Sequence, residues 1–408
     1  MARLIGHLDA DCFYVSAERV RHSELRHLPV GVLGNQGACV IAKSYEMKAA
    51  GVKTGQPIWE ATKLCPEGIY VKRDFRWYEI LSREILRVLK ECSPSVEYYS
   101  IDEMFFDAAF LPQTFSMSLQ DAAVALQRRL LDEVGIPVSV GISRSRTLAK
   151  LISDTAKPFG CRVLLDRSEI DAFLWARPVE DITGIGGQSQ KKLNSRGIFT
   201  CWDYSRADRK TILRMLTIKG EGIWWELHGE HVFKLQTTRP PHKAISRGGS
   251  LAGTTDDPKR IWGWMVRNAE RMVEELDFHK VCAGRLTLVL SCKTGEAPGR
   301  YADLSPPTAS FGTLLRVLES MRDSLQGVRQ VSHMHLFAER LCPRDSIQLS
   351  LFPAFPESVD KLAGVKREIN QKIGRFAVRS GNTLDLPDVY ADGTNDYDIC
   401  DVRDKLCF

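Results

Sequence analysis

The run from Leu4 to Leu8 is short and mostly apolar, the pattern of a buried strand, and it delivers Asp9 at its C-terminal end. The stretch from Val96 to Phe106 is rich in β-branched and aromatic residues on both sides of Asp102-Glu103, which predicts a second strand or a hairpin. Neighbouring side chains of a regular strand point to opposite faces. For Asp102 and Glu103 to reach one point they must therefore sit at a turn or bulge. A helical period runs over Leu148 to Lys157: Leu148, Leu151, Ile152 and Thr155 form its apolar side. Lys150, Asp154 and Lys157 fall on the other side, within about 60° of one another at about 3.6 residues per turn. Ser44 to Gly51 reads as a short helix begun by Ser44 and stopped by Gly51, with Tyr45 and Lys48 sharing a face. Further on, Arg285 to Ser291 alternates, with Leu286, Leu288 and Leu290 on one face and Arg285, Thr287 and Ser291 on the other. That is a half-buried strand with a polar outer face. Helical stretches carrying Ile261, Met265, Met272 and Leu276, and then Leu314, Leu315, Leu318, Met321 and Leu325, are expected to cover its inner face.

A chain of 408 residues suits two to four domains rather than one core. Residues 26–77 read as a small insertion rich in Gly and Pro, and residues 178–235 as helical and basic, closing with Trp224-Trp225. The two prolines and missing apolar period of residues 237–243 mark a tether. No run of eighteen apolar residues occurs and no leader pattern opens the chain, so a cytoplasmic protein without membrane association is expected. Eleven scattered cysteines without a Cys-x-x-Cys pair argue against a disulfide framework or a zinc site and suit reduced thiols. His333 and His335 could share one side of a strand, but no third ligand lies nearby, so a structural role is expected of them. The net charge of +5 is modest, and its distribution is more telling. Residues 239–300 hold eleven Lys/Arg against seven Asp/Glu, whereas residues 385–405 hold seven Asp against two basic residues. An anionic partner is therefore expected on the body of the protein, away from the acidic end.

Four motifs then occur in a telling order: Asp9-x-Asp-x-Phe-Tyr14, Ser100-Ile-Asp-Glu103, the stretch Leu148-Ala-Lys-Leu-Ile-Ser-Asp-x-x-Lys-Pro158, and Gly184-Ile-Gly-Gly187. Over roughly residues 1–352 the chain resembles the Y-family translesion DNA polymerases of the bacterial polymerase IV and V type. The resemblance implies an α+β multidomain, right-hand polymerase. Its ferredoxin-like βαββ palm would occupy 1–25 and 78–167, small fingers 26–77, and a helical thumb with a helix-hairpin-helix element 168–236. A linker at 237–247, an α/β little finger at 248–344 and a tail at 345–408 would follow. The implied activity is template-directed addition of deoxynucleotides to a primer 3′ end by a two-metal mechanism, at low fidelity and past damaged bases. A non-catalytic polymerase-fold adaptor and a two-metal nucleotide cyclase are the alternatives. Intact Asp9, Asp102 and Glu103 speak against the adaptor, and the glycine hairpin, basic little finger and clamp peptide against the cyclase.

The same resemblance assigns residues. Asp9, Asp102 and Glu103, with the carbonyl of Ala10, would hold two Mg²⁺ ions, for which Mn²⁺ can substitute. Asp11 is expected only to hydrogen-bond near the strand end. Phe13 and Tyr14 would lie at the incoming deoxynucleoside triphosphate, Tyr14 as a steric gate against a 2′-hydroxyl. Tyr45, Lys48 and Lys157 would contact the triphosphate, and Lys150 is expected to be structural. Many relatives carry arginine where Lys48 stands, so here a compact point charge replaces a bidentate fork. Gly184, Gly186 and Gly187 would let helix-start amides approach a phosphate of primer-template DNA, helped by Lys191 and its neighbour Lys192. Gln348, Leu349, Leu351 and Phe352 resemble the peptide by which bacterial polymerases dock on the sliding clamp, here internal to the chain. A monomer is expected.

Overall fold

Strand β1 (Ile5–Ala10) is buried at every position because it runs up the middle of a five-stranded sheet. The computed structural model describes residues 4–34, 39–238, 240–325, 327–347, 358–373 and 376–384, which fall into two compact units dividing at residues 239 and 240. In the first unit, Cys12 takes a left-handed conformation (φ 46°) and turns the chain from β1 into helix α1 (Phe13–Arg21). An insertion follows: β2 (Val30–Leu33), β3 (Val40–Lys43), α2 (Tyr45–Ala49), α3 (Ile58–Leu64) and β4 (Ile69–Lys72), with strand order β3-β2-β4. It has its own small core of Leu33, Val40, Met47, Val52, Ala61 and Cys65. Ser44 caps α2 by accepting from the Met47 N–H at 3.2 Å, and Gly51 follows at φ 90°, the left-handed region that glycine tolerates.

Helix α4 (Phe75–Cys92) returns the chain to the large sheet. It starts three residues before the boundary expected at 78, because Asp74 caps it by accepting from the Trp77 N–H at 3.1 Å. Strands β5 (Val96–Tyr98) and β6 (Glu103–Asp107), helices α5 (Leu111–Phe115) and α6 (Leu119–Val134), strand β7 (Val138–Ser143), helix α7 (Arg146–Ala156) and strand β8 (Cys161–Val163) complete a sheet of order β5-β6-β1-β7-β8. Ile85 and Leu89 of α4 and Leu126 and Leu130 of α6 share one core with Leu8, Met104, Phe106 and Val140 of the sheet. The apolar side of α7 joins a different core. Leu148, Leu151 and Ile152 pack with the helices that follow, α8 (Arg167–Trp175), α9 (Gly187–Asn194), α10 (Cys201–Arg206) and α11 (Arg209–Leu227). Helix α11 is broken at Thr217, whose φ of 63° lies far from helical values.

In the second unit, β9 (Ala244–Thr255), α12 (Pro258–Phe278), β10 (Val281–Cys292), β11 (Gly299–Thr308), α13 (Phe311–Ser324) and β12 (Val331–Glu339) form a sheet of order β11-β10-β12-β9 with two helices. The short β13 (Cys342–Pro343) pairs with β10. Leu286, Leu288 and Leu290 meet Ile261, Met265, Met272 and Leu276 of α12 and Leu314, Leu318 and Met321 of α13 in one core, while Leu315 stays half-exposed.

Two further boundaries differ from expectation. Strand β9 begins at Ala244, inside the linker expected at 237–247, because Ala244 and Ser246 pair with Glu339 and Phe337 across the ladder. The tail expected at 345–408 contains helix α14 (Ser358–Ile373), which is fastened to α12: Lys366 pairs with Glu270, and Glu270 also accepts from the Ser380 N–H at 2.9 Å. The remaining residues of that tail, from 385 onward, lie outside the described residues.

Gly141 of β7 sets the depth at which α7 sits. A Cβ there would stand 2.3 Å from the Ala149 carbonyl oxygen and 2.4 Å from the Ser153 nitrogen, both backbone atoms that cannot swing away. Gly141→Ala is therefore expected to destabilise the fold by about 1–3 kcal/mol through overpacking. The urea midpoint measures this; an unchanged midpoint would mean that α7 can back away without cost.

Candidate active site

In the ladder between β1 and β6, Asp9 stands directly opposite Glu103, and opposed residues share one face of a sheet. Helix α7 brings the third acid. Oxygens of Asp9, Glu103 and Asp154 lie within 4.8 Å of one another. Two lysines of the same segment answer them. Lys157 Nζ lies 2.7 Å from Asp9 Oδ2 and 3.8 Å from Asp154 Oδ1. Lys150 Nζ pairs with Glu103 and lies 3.5 Å from Asp154 Oδ2.

This trio differs from the expected Asp9, Asp102 and Glu103. Asp102 lies in the turn just before β6, where its Oδ1 accepts from Ser100 Oγ at 2.6 Å and its carbonyl accepts from the Ala10 N–H at 2.9 Å. That turn is the break in strand regularity that adjacent carboxylates require, and it anchors Asp102 and Ala10 beside the trio. Asp154 was legible in the sequence only as one member of a charged helix face. Nothing local distinguished it from a solvated acid, because its neighbours Asp9 and Glu103 lie far away along the chain. Lys150 was expected to be structural, and it is buried against Glu103.

Burial governs the charge state. It lifts the Asp9 carboxyl to about 8, assisted by the Glu103 charge and opposed by Lys157. Burial also raises Asp102 against the Ser100 hydrogen bond, and Asp154 against both lysines. For Lys150 and Lys157 burial works against the charge, but the surrounding carboxylates outweigh it and hold both above the usual lysine value. The three carboxylates of the trio face two ammonium groups, one fewer than full compensation. Clustered carboxylate oxygens are the donor set that suits a hard divalent cation, so the residues present fit such an ion.

Asp11 does what was expected of it. Its carboxylate accepts from Ser139 Oγ at 3.0 Å, from the Phe159 N–H at 2.7 Å and from Tyr45 Oη at 3.2 Å, joining β7, the turn after α7 and helix α2 of the insertion. Tyr45 is thus directed to Asp11, while Lys48, three residues on, is exposed. Tyr14 stacks on Tyr78 with ring centroids 4.6 Å apart and meets Phe75 edge-on at 5.7 Å, leaving the ring half-exposed. Phe13, expected at the nucleotide, is 4% exposed and belongs to the core. It shares the inward face of α1 with Ala17, one helical turn on.

Gly184 takes φ 100°, and Gly186 and Gly187 begin α9. A Cβ at Gly186 or Gly187 would meet nothing, so packing does not demand glycine there, and the backbone lies open beside exposed Lys191 and Lys192. A cavity of about 820 Å³ lies between this element and the large sheet, lined by Gly184, Arg146, Lys150, Lys192, Lys219 and Lys234 among others, and among the described residues no carboxylate lines its wall. Gln348, Leu349, Leu351 and Phe352 lie outside the described residues. Among the described residues no helix is long and apolar enough to cross a membrane.

Comparison with known proteins accords with this geometry. Residues 8–154 match the impB/mucB/samB family, residues 167–198 the IMS family HHH motif, and residues 242–351 the impB/mucB/samB family C-terminal domain. The chain is 38% identical over 344 residues to DNA polymerase IV of Oceanobacillus iheyensis, covering 82% of this chain and 77% of that protein. It is 29% identical over 400 residues to DNA polymerase IV of Bacillus velezensis, covering 96% of each. Among solved structures, the Y-family DNA polymerase chimera Dbh-Dpo4(243-245)-Dbh superposes with a TM-score of 0.71 at 21% identity, over 83% of this chain and 99% of the chimera. An insertion ternary complex of Dbh DNA polymerase gives a TM-score of 0.54 at 22% identity, with the same coverage.

If Asp154 contributes an oxygen to a bound cation, Asp154→Asn should weaken Mn²⁺ binding, followed by electron paramagnetic resonance, by about 10-fold or more. Equal affinity would leave Asp154 as a partner of the lysines only.

Proposed function

Because the chain belongs to the Y family of DNA polymerases, through the impB/mucB/samB family, we propose that Asp9, Asp102 and Glu103 are the carboxylates at which it extends a primer 3′ end. Template-directed translesion DNA synthesis is the activity of that family, and the chain is a DNA-directed DNA polymerase. The observation that carries the site assignment is the buried pairing of Asp9 with Glu103, with Asp102 anchored in the adjoining turn.

Asp9, Asp102 and Glu103, with the Ala10 carbonyl, would hold two divalent cations, Mg²⁺ with Mn²⁺ as substitute. When bound, these ions lower the pKa of the attacking hydroxyl and neutralise charge on the leaving pyrophosphate. The chain's own groups do the remaining work. Lys157, here on Asp9, is the ammonium assigned to the triphosphate, and Lys48 is a second, exposed one. Tyr45, fixed by Asp11, closes the pocket from helix α2 of the insertion. Tyr14, braced by its stack on Tyr78, presents a rigid ring suited to exclude a 2′-hydroxyl. Primer-template DNA runs past the basic rim of the cavity, where exposed Lys192 and Lys219 reach phosphates and the open amides at Gly186 and Gly187 hold the backbone without reading sequence. Gln348 to Phe352 docks on the bacterial sliding clamp. Its flanks are both tied to the second unit, by Arg344 on Asp277 before it and Lys366 on Glu270 after it. The protein works in the cytoplasm as a monomer.

Primer extension tests the site. Asp102→Ala or Glu103→Ala should take nucleotide addition below detection, a loss of several kcal/mol of transition-state stabilisation, while primer-template binding is largely kept. Near-normal extension by either variant would overturn the assignment.

Tyr14→Ala should raise the relative kcat/KM for ribonucleotides by about 10²-fold or more, since a clash rather than a lost contact enforces the choice. An unchanged ratio would return Tyr14 to a packing role.

Replacing Leu351 and Phe352 by alanine should leave clamp-free synthesis unchanged and remove stimulation by a bacterial clamp. Docking otherwise raises apparent affinity by about 10²-fold or more through effective concentration. Equal stimulation of variant and parent would refute clamp docking by this peptide.

A further inference from the structure

Cys282 and Cys342 stand directly opposite each other in the antiparallel ladder between β10 and β13. The flanking bonds define the type of pair. Arg344 N–H donates to the Lys280 carbonyl at 2.9 Å, and Gly284 N–H to the Arg340 carbonyl at 3.2 Å. Hydrogen-bonded pairs alternate along such a ladder, so 282 with 342, two residues from each, is again a hydrogen-bonded pair. Pro343, which has no N–H, falls at the intervening non-bonded position opposite Val281. Such a pair holds its Cα atoms about 5.5 Å apart with both side chains on one face, inside the range of about 4.4–6.8 Å that disulfides span. The Cys342 thiol already reaches across, with its sulfur 3.8 Å from the Cys282 carbonyl oxygen. No other described cysteine is so placed: Cys292 faces Val331, Cys161 faces Val140 and Cys39 faces Pro57.

The two thiols differ in access. Cys342 is half-buried, whereas Cys282 is 4% exposed. Burial lifts the Cys282 thiol above its usual range, and the Arg344 guanidinium, bonded to that thiol and to Asp277, works against the lift. Cys342 is therefore the sulfur that an outside oxidant meets first, and Cys282 the one that resolves it.

We propose that Cys282 and Cys342 are a peroxide-oxidisable pair that closes to a disulfide, stapling β13 to β10 where the chain leaves the sheet. The Cys342 thiolate attacks one oxygen of hydrogen peroxide; the O–O bond breaks, and hydroxide leaves and is protonated to water. Cys342 is then a sulfenic acid. The Cys282 sulfur attacks the Cys342 sulfur; the S–O bond breaks, and the departing hydroxide takes the Cys282 thiol proton as a second water. Two thiols lose two electrons, one peroxide gains them, and a thiol reductant reverses the link.

The test uses the dilute full-length protein, treated with hydrogen peroxide, alkylated and digested without reductant for peptide mass mapping. The expected product is one peptide containing Cys282 joined to one containing Cys342, lighter than their sum by two hydrogen atoms and separated by dithiothreitol. In Cys282→Ser, Cys342 should stop as a sulfenic acid that dimedone traps. Recovery of both cysteines as free thiols from the wild-type protein, or of Cys342 as sulfinic acid without the linked peptide, overturns the proposal. The wild-type outcome does not depend on how the Cys282→Ser variant folds.

Discussion

Asp9 and Glu103 face each other across a ladder of the central sheet, and ionising both carboxylates at once sets two like charges against each other. At a separation of about 5 Å and an effective dielectric of ~20, the repulsion is about 3 kcal/mol, a large part of a domain's net stability. The strands cannot relax it. β1 is central, hydrogen-bonded to β6 on one side and β7 on the other, so parting Asp9 from Glu103 would break the sheet. Compensation has to come from outside the sheet, and it comes from one helix, which supplies Lys150 to Glu103 and Lys157 to Asp9. The seating of α7 is therefore an electrostatic requirement as much as a packing one. The bare backbone at Gly141 lets the helix lie close enough for its lysines to reach.

Seen this way, the lysines have two kinds of anion available. In the absence of nucleotide they hold the carboxylates, and under the reading proposed above Lys157 serves the triphosphate when it arrives. The carboxylates are then left to the cations that accompany the substrate. Asp11 stands apart from this exchange because its three donors already satisfy it. A carboxylate so fully hydrogen-bonded orients its neighbours and has little left to offer a metal.

What the sequence disclosed follows from the range of each signal. The cap at Ser44, the turn at Gly51, the alternation over β10 and the charged face of α7 are encoded within a few residues, and each is where its pattern put it. The break between Asp102 and Glu103 was legible because a regular strand cannot aim both acids at one point. Asp154 was not, since its partners arrive through strand pairing distant in sequence. The start of β9 was hidden by Gly248 and Gly249, residues that weaken a strand pattern although the ladder to β12 runs through them. Helix α14 was missed because its tie to the fold is the buried acid Glu270, on an element almost a hundred residues earlier. Phe13 went the other way: proximity to Tyr14 in the motif suggested a shared role, and helical geometry separated them.

Glu226 is fully buried near the end of α11, and its carboxylate accepts from the Thr147 N–H and from the Val232 and Phe233 N–H groups, each at 2.9 Å. It thereby grips the first turn of α7, while Lys157 caps the last. Eleven residues at about 1.5 Å each make α7 a rod of ~16 Å, stiff along its axis. A rod clasped at one end and charged at the other is a lever. Under the reading proposed above, a displacement of α11 at the clasp would be delivered as movement of an ammonium group against Asp9, placing the basic cavity and the carboxylates mechanically in series. Grip and chemistry would then share a single drive shaft.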